Sequence, residues 1–284
     1  MLRKLSMLML VASLPVFMTV GCSKSTTPDD DASLSKATLD DSANSELVAS
    51  NVRDEQDVFA VEKVLTDSNV VPHDGIRYRR VGTTATRTVT TTFHAADAAH
   101  PNFWCEASVV HTFSGNIRVW LPGSDSSYVS KPFTDTGTRS AVVERTSPHH
   151  WRLVSISPVT FGSGTGAPTI TSVHVVQGAF DRTFTGGSEQ IIVDSTAYIT
   201  QGTPVTVTVT TGVAGQSIVC HKPGGRIAFT DNTDGTYSLT WTPISHSGRK
   251  FFVVDAIANS TLADSTSPYA SSGWGLPFRV HAAF

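Results

Sequence analysis

The second half of this chain is a succession of short β-prone segments, separated by turns about 8 to 12 residues apart. The segments are rich in Val, Ile and Thr, which favour pleated strands. In the stretch VTVTVT, Val205, Val207 and Val209 alternate with threonines, so one face of the strand is apolar. Regular short strands of this kind predict a β-sandwich. The segments that fit lie at 170–176, 191–199, 205–210, 217–221, 226–230, 236–241, 250–256 and 276–281.

The first half contains longer apolar–polar alternations, interrupted by glycine-containing tripeptides. Ser-Gly-Asn at 114–116 and Asp-Thr-Gly at 135–137 predict hairpin turns. Together with the abundance of Thr, Ser and Val, these patterns predict a mostly β protein. The strands expected in this half lie at 77–81, 88–93, 104–113, 117–121, 128–133, 140–145 and 151–156.

One helix is predicted within residues 45–66, where Val58, Val61 and Leu65 repeat at helical spacing. A helix followed by a meander of antiparallel strands indicates a curved sheet wrapped on that helix. This order is similar to the cystatin-like and NTF2-like α+β folds, and the stretch WRLVSISPV resembles their closing strand. The low helical content favours the smaller, cystatin-like arrangement, over residues 45–161.

The composition changes at residues 162–168, GSGTGAP, which predict a flexible linker between this domain and a second domain at 169–284. The stretch DNTDGTYSLTWTP, residues 231–243, has an Asp-Gly turn before an alternating strand. With a later Gly and a terminal Pro-Phe-x-Val, it resembles the filamin type of immunoglobulin-like repeat. The resemblance implies an immunoglobulin-like β-sandwich, acting as a spacer or taking a partner strand along a sheet edge.

The N-terminus has the parts of an export signal. Arg3 and Lys4 precede a short apolar run that ends in Thr-Val-Gly-Cys at residues 19–22. This ending resembles the lipobox of bacterial lipoproteins, which implies removal of residues 1–21 and acylation of Cys22. Each buried lipid CH₂ contributes about 0.8 kcal/mol, so two or three acyl chains anchor a protein firmly. The alternative is an ordinary secretory signal with an unmodified cysteine.

Residues 22–44 are rich in Ser, Thr, Asp and Ala and predict a disordered tether, because they bury too little apolar surface to fold. The net charge is −3, and it becomes −5 once Arg3 and Lys4 leave with the signal. No basic patch of the nucleic-acid-binding kind occurs, so no nucleic-acid partner is expected. The expected partners are a membrane, through the lipid anchor, and a protein or glycan, through the sandwich. The expected location is the bacterial envelope, at the outer membrane or cell surface.

Few residues carry candidate chemistry. Cys105 and His111 share the predicted inward face, which makes them candidates for a pocket with a nucleophile and a base. The alternative is a hydrogen-bonded core histidine. Tyr269 and Trp274, in the stretch SPYASSGWG, are candidates for stacking on a sugar unless Trp274 packs on the sandwich. No zinc spacing, phosphate-binding loop or nucleophile elbow occurs, so no catalytic residue, metal or cofactor is assigned.

The sequence leaves open the pairing of two cysteines and the function of the protein. Cys105 and Cys220, one in each half, either form an inter-domain disulfide or are two buried thiols. The function expected is a non-enzymatic envelope lipoprotein with an adhesion, ligand-binding or assembly role. The alternatives are a small-molecule binder or a hydrolase- or isomerase-type enzyme that uses a pocket of the first domain, and a carbohydrate-binding surface protein.

Overall fold

The computed structural model shows a mostly β protein built from antiparallel sheets, as the sequence predicts. It describes residues 28–40, 77–120, 127–163, 165–193, 198–222, 225–243 and 248–282. The signal segment, Cys22 and the helix predicted within 45–66 lie outside these ranges. Within them, no helix has the length and apolar character needed to cross a bilayer.

The described residues form two helices and sixteen strands. The helices are α1 (Pro28–Asp40) and α2 (Asn259–Ala263). The strands are β1 (Arg77–His94), β2 (Trp104–Trp120), β3 (Val129–Ser147), β4 (His150–Ile156), β5 (Val159–Ser163), β6 (Ser172–Gln177), β7 (Phe180–Phe184), β8 (Ile191–Ile192), β9 (Tyr198–Thr200), β10 (Val205–Thr210), β11 (Ser217–Lys222), β12 (Gly225–Ala228), β13 (Thr230–Asp231), β14 (Thr236–Trp241), β15 (Gly248–Ile257) and β16 (Ser271–His281).

Three long strands replace the hairpins predicted for the first half. β1, β2 and β3 pair in an antiparallel meander, and the tripeptides at 114–116 and 135–137 lie inside β2 and β3. The two turn predictions are therefore wrong. The physical reason is phase, because the inward-facing positions keep a period of two on both sides of each tripeptide and the strand continues.

Glycine occupies the middle of these strands for packing reasons rather than for turning. A Cβ atom at Gly137 would lie 2.5 Å from a ring carbon of Phe161, and one at Gly115 would lie 2.9 Å from the carbonyl oxygen of Val81. The actual irregularity is in β1, where a bulge between Val81 and Thr84 contains Gly82 at a φ of 62°. This bulge joins the two strands predicted at 77–81 and 88–93 into one.

The strands form a large sheet and a five-stranded sheet. The large sheet has the order β1-β2-β3-β5-β16-β15-β11-β12, with β4 beside β3, β8 beside β4 and β9 beside β16. The five-stranded sheet has the order β13-β14-β10-β6-β7. β5 pairs with β3 on one side and with β16 on the other, so backbone pairing connects the two halves of the chain.

The linker predicted at 162–168 begins inside β5. Gly162 and Ser163 pair with Ser272 and Ser271 of β16. Their glycine and serine composition resembles a flexible linker, but their backbone groups are held in the ladder. The prediction of a flexible linker is therefore wrong for these two residues.

Among the residues that the structure describes, three apolar clusters form the core. The sandwich cluster lies between the five-stranded sheet and one face of β11, β15 and β16. The junction cluster combines residues of both halves, and the helix-side cluster lies where α1 meets β2, β3 and β4. Members of the junction cluster are Tyr78, Phe113, Ile117, Val119, Phe133, Val159, Phe161, Val219, Val253, Ile257, Leu262 and Tyr269.

β15 contributes to two clusters at once. Phe252 and Val254 belong to the sandwich cluster, whereas Val253 and Ile257 belong to the junction cluster. A strand buried on both faces has a continuous apolar sequence, which explains the stretch FFVVDAIA. The large sheet also curls, since the guanidinium carbon of Arg226 in β12 lies 5.4 Å from the ring centroid of Tyr78 in β1.

Helix α1 corrects the prediction of a disordered tether at 22–44. Residues 28–40 of that range are helical, and Leu39 is 0% exposed within the helix-side cluster. The helix begins at Pro28, and proline is common in a first helical turn. Three aspartates follow it in the sequence, and acidic residues are favoured near the positive end of the helix dipole. Ser35 is also 0% exposed, so the helix buries one side although its overall composition is polar.

Candidate functional site

Charged side chains interrupt the apolar inner face of the three long strands. In β3 this face includes Lys131, Asp135 and Arg139, each at most 5% exposed. In the same phase lie Phe133, Ala141 and Val143 of the junction and helix-side clusters. Buried charges are unfavourable without compensation, so each of these positions requires an electrostatic explanation.

One group of charged residues, here named the basic row, consists of Arg87, His111 and Arg139. Arg87 in β1 is directly opposite His111 in β2, and Arg139 in β3 is opposite Val109, two residues from His111. His111 and Arg139 are each 4% exposed, whereas Arg87 is exposed on β1. The row therefore runs from the solvent-accessible edge of the sheet to its interior.

The basic row lies between two apolar clusters. Val109 belongs to the helix-side cluster and Phe113 to the junction cluster, and His111 stands between them on β2. The rings of His111 and Phe113 are stacked, with centroids 6.1 Å apart. Phe113 in turn contacts Phe161, whose ring covers Gly137.

Burial and neighbouring positive charge control protonation within the basic row. Burial, together with the smaller effect of the positive charges of Arg87 and Arg139, lowers the pKa of His111 to about 4. Burial also lowers the pKa of Arg139, and Arg87 adds to that effect. His111 is therefore a neutral imidazole at neutral pH, between two guanidinium groups.

The structure does not bring Cys105 and His111 together. Six residues separate them along β2, which at the rise of a strand is about 20 Å. Cys105 is fully buried in the helix-side cluster. The nucleophile and base expected from their shared face therefore do not meet, although both residues do point to the same side of the sheet.

A second group of charged residues joins the two halves and is here named the junction network. Arg80 of β1 places Nη1 2.8 Å from Oδ2 of Asp255 in β15, and both side chains are almost completely buried. Nη2 and Nε of Arg80 donate to the hydroxyl oxygen of Tyr269 at 2.6 and 3.1 Å. That hydroxyl donates to Oδ2 of Asp135 at 3.0 Å and lies 2.6 Å from Oγ of Ser271.

Two further side chains extend the junction network. Nε2 of His221 in β11 lies 3.4 Å from Oδ2 of Asp255. Nζ of Lys131 donates to the carbonyl oxygen of Thr261 at 2.6 Å and to that of Asp264. Burial lowers the pKa of Lys131, whereas the charge of Asp264 opposes this shift. The network links β1 and β3 to β11, β15 and the segment around α2, which makes it a structural clamp.

Tyr269 and Trp274 do not form a stacking platform. Tyr269 is 6% exposed and belongs to the junction network, while Trp274 is 8% exposed and belongs to the sandwich cluster. They therefore pack in different cores, and neither ring is presented to a sugar. The alternative expected from the sequence, in which Trp274 packs on the sandwich, describes its position.

Histidines and aromatic rings gather at the end of the sheet where β1 leads to β2. The ring of Trp104 stacks with His94 at a centroid distance of 4.1 Å and contacts His100 at 4.3 Å. Nδ1 of His100 lies 3.0 Å from Oε1 of Glu144. In the part of the chain that the structure describes, no group of three or more His, Cys, Asp or Glu side chains is arranged to hold a metal ion.

Cys105 and Cys220 do not form a disulfide with each other. Both are buried thiols, and Cys105 lies in the helix-side cluster whereas Cys220 lies in the sandwich cluster. Of the two arrangements open from the sequence, the structure has the two buried thiols.

The sequence-based candidates omit Arg80, Asp255 and Arg139, although a signal for two of them exists. Asp255 is the one charge in the apolar stretch FFVVDAIA. Arg139 falls in phase with the inward positions of β3. A charged residue at a position that the alternation assigns to the core is a marker for a buried ionic site.

No protein-family model matches this chain, and comparisons with curated proteins and with solved structures find no match. The resemblances to lipoproteins, filamin-type repeats and cystatin-like folds stay predictions from sequence motifs.

Proposed function

We propose that this protein is a lipid-anchored lipoprotein of a bacterial envelope, and that its folded part is a non-enzymatic binding or assembly module. The observation that carries the anchor is the Thr-Val-Gly-Cys sequence at residues 19–22, after a positive pair and an apolar run. Acyl chains on Cys22 would hold the protein at the outer membrane or cell surface.

The anchor is tested by detergent phase partitioning and by the mass of the N-terminal peptide, after expression in a bacterium. We expect the wild-type chain in the detergent phase with an acylated Cys22 as its first residue. We expect Cys22→Ser in the aqueous phase, and Ser23→Ala as a matched control that partitions like the wild type. An intact leader, or equal partitioning of wild type and Cys22→Ser, would contradict the proposal.

We further propose that the second half is an immunoglobulin-like sandwich. Its sheets support this assignment, because the orders β13-β14-β10-β6 and β12-β11-β15-β16 match D-E-B-A and C′-C-F-G of such a domain. The eight strands also occur in that alphabetical order along the chain. For the first half, the long curled strands with α1 packed on them support a curved-sheet α+β arrangement of the cystatin-like kind.

The sandwich is the surface that we propose for a protein partner. β13 pairs with β14 at Ser238 and Tyr237 and thus covers only a small part of its outer edge. An edge strand can accept an added strand through its backbone groups. Hydrogen exchange on the Cys22→Ser chain, with and without a partner captured from envelope extract, tests this surface. Added protection at residues 239–241 is expected, and protection confined to other strands would contradict it.

A second candidate function is small-molecule binding by the first half. It is favoured by the basic row, since His111 lies beside Arg87 and Arg139 and is not surrounded by apolar side chains alone. Clusters of titratable groups with shifted pKa values often mark binding or catalytic sites. We propose binding rather than catalysis, because Cys105, the nucleophile considered, is far from His111. We propose no sugar-stacking role for Tyr269 and Trp274, because both rings are buried.

A further inference from the structure

We propose that the outer face of the three long strands binds an extended, uncharged polysaccharide. This face is opposite to the inner face that buries Arg80 and Arg139, and twelve of its positions are here named the hydroxyl face. They form four rows across the strands, namely Thr84, Ser114 and Thr134; Thr86, Thr112 and Thr136; Thr88, Val110 and Thr138; and Thr90, Ser108 and Ser140. The inference is independent of the lipid anchor and of the partner strand proposed for the sandwich.

The hydroxyl face is regular because the three strands keep the same phase. In this part of β2 and β3 the odd-numbered positions are buried and the even-numbered ones are exposed or half-buried. β1 follows the same phase after its bulge at Gly82. Side chains on one face lie about 7 Å apart along a strand and about 5 Å apart between strands. Eleven of the twelve residues have a hydroxyl group, and Val110 is the exception.

The hydroxyl face is uncharged. None of its twelve residues is charged, although a soluble protein surface typically has about 25–35% charged residues. On β2 the charged residues of the same phase lie beyond its two ends, at Glu106 and Arg118. A charged polymer would lose water here without meeting an opposite charge, which is unfavourable. Hydroxyl groups both donate and accept hydrogen bonds, as those of a sugar do, so the matching ligand is neutral.

Neighbouring hydroxyl groups lie within hydrogen-bonding distance of one another. Oγ of Ser114 lies 3.3 Å from Oγ1 of Thr134, and Oγ1 of Thr138 lies 3.3 Å from Oγ1 of Thr160 in β5. A hydroxyl group has one donor and two acceptor positions, so such a pair retains capacity for a ligand. The pairing also limits rotation of the side chains, which lowers the entropy lost on binding.

An aromatic pair lies on the same face beyond one end of the rows. Trp120 is in phase with Ser114 on β2, and its ring centroid lies 5.4 Å from that of Tyr128, which precedes β3. Tyr128 is 44% exposed, and the guanidinium carbon of Arg118 lies 4.6 Å from its ring centroid. An exposed ring can stack on the apolar face of a sugar, and the arginine contact holds this ring in place. An ordinary polar sheet face has no need of such a pair.

The hydroxyl face and the aromatic pair together define the shape of the ligand. Ser108 and Trp120 are twelve residues apart on β2, which at the rise of a strand is about 40 Å. A ligand that contacts both is therefore an extended polymer that runs along the strands, and it requires no cavity. Each hydrogen bond contributes little on its own, so a single sugar is expected to bind far more weakly than a chain.

The test is affinity electrophoresis of the full chain carrying Cys22→Ser, in native gels that contain a soluble polysaccharide. The neutral probes are dextran, soluble starch and hydroxyethyl cellulose, and the charged counterparts are the carboxymethyl forms of the same three polymers. We expect at least one neutral polymer to retard the chain, and its carboxymethyl form to retard the chain less. Glucose at the same mass concentration is expected to leave the mobility unchanged.

Variants connect the retardation to this face. Thr136→Glu places a charge within the hydroxyl face, and Thr240→Glu makes the same change at an exposed threonine of β14 in the five-stranded sheet. We expect Thr136→Glu to abolish retardation and Thr240→Glu to stay within twofold of the parent chain. Tyr128→Ala is expected to weaken binding about tenfold, and Tyr128→Phe, which keeps the ring, to bind like the parent. Unchanged midpoints of urea unfolding show that the variants are folded.

Several results would overturn the inference. One is the absence of retardation by every neutral polymer, and another is stronger retardation by the carboxymethyl forms. Equal effects of Thr136→Glu and Thr240→Glu, or unchanged binding by Tyr128→Ala, would show that the polymer binds elsewhere on the chain. A protein from envelope extract that only Thr136→Glu releases, without any polymer binding, would assign this face to a protein partner. None of these results alters the detergent partitioning of Cys22→Ser or the hydrogen exchange expected at residues 239–241.

Discussion

Two buried arginines on the same curled sheet lie in different places. Arg80 is bound by Asp255 and Tyr269 where the two halves of the chain meet. Arg139 lies on the inner face of β3 within the first half, where burial and the charge of Arg87 lower its pKa. Arg80 therefore connects the two halves, whereas Arg139 belongs to the inner face of one of them.

The largest effect is expected at the junction network. Arg80→Met leaves Asp255 buried beside an apolar side chain, and breaking such a pair from one side costs about 3 to 5 kcal/mol. Urea unfolding of the Cys22→Ser chain, with and without Arg80→Met, measures the loss. The double variant Arg80→Met/Asp255→Leu is the control and should recover most of the stability. A loss below about 1 kcal/mol would mean that the network is not a clamp.

The next largest effect is expected for α1, which packs on the helix-side cluster. Leu39 of α1 is fully buried, so Leu39→Ala should cost about 2 to 4 kcal/mol if α1 unfolds together with the sheet. Thermal or urea unfolding measures this cost, and Lys36→Ala on the exposed side of α1 is the control. An unchanged midpoint for Leu39→Ala would restore the disordered tether that the composition predicts.

A smaller effect is the pH dependence that His111 contributes. Its pKa falls from 6.5 when unfolded to about 4 when folded, so the unfolded state binds the proton first as the pH falls. Stability from this group is present above pH 6.5 and decreases between pH 6.5 and 4. The full shift corresponds to about 3 kcal/mol, and screening by solvent reduces this to about 1 to 2 kcal/mol.

The measurement for His111 is the difference between wild type and His111→Gln in free energy of unfolding, at several values between pH 7 and 4. The variant removes the histidine and leaves the carboxylates that also titrate near pH 4. Wild type should lose more stability than His111→Gln over this range. Parallel pH profiles would show that His111 is not held neutral by its surroundings.

The smallest effect is expected for a charge pair outside both groups. Arg152 is 55% exposed and lies 3.3 Å from Oε2 of Glu144. Exposed pairs contribute about 0 to 1 kcal/mol, so Arg152→Ala should change the free energy of unfolding by less than 1 kcal/mol. A loss as large as that of Arg80→Met would remove the distinction between a structural clamp and ordinary ion pairing.

Much of the β architecture could be predicted from the sequence, because apolar–polar alternation reports directly which residues face a core. The alternation at Val205, Val207 and Val209 predicts β10, and the segment predicted at 151–156 corresponds to β4. The prediction of turns at 114–116 and 135–137 is wrong, because glycine also occurs within strands. Gly137 is required by the close approach of Phe161, a contact between strands that no local pattern contains.

The charged groups were harder to predict because their members come from distant parts of the chain. Arg80 in β1 and Asp255 in β15 are separated by β2, β3, β5 and β16 in the order of the large sheet, so they meet only because the sheet curls. His111 could be predicted as an inward residue, but its neighbours depend on the register of three long strands. The phase of a charged residue within an alternating strand is the signal that sequence alone offers.

The central claim, that the junction network clamps the two halves together, is tested most directly by a double-mutant cycle in urea unfolding, with every chain carrying Cys22→Ser. The cycle compares the parent chain with Arg80→Met, Asp255→Leu and the double variant. We predict that each single variant loses about 3 to 5 kcal/mol and that the double variant loses much less than the sum of the two, because the two buried side chains form one pair. Losses that simply add would contradict the account, since they would show that Arg80 and Asp255 do not act on each other.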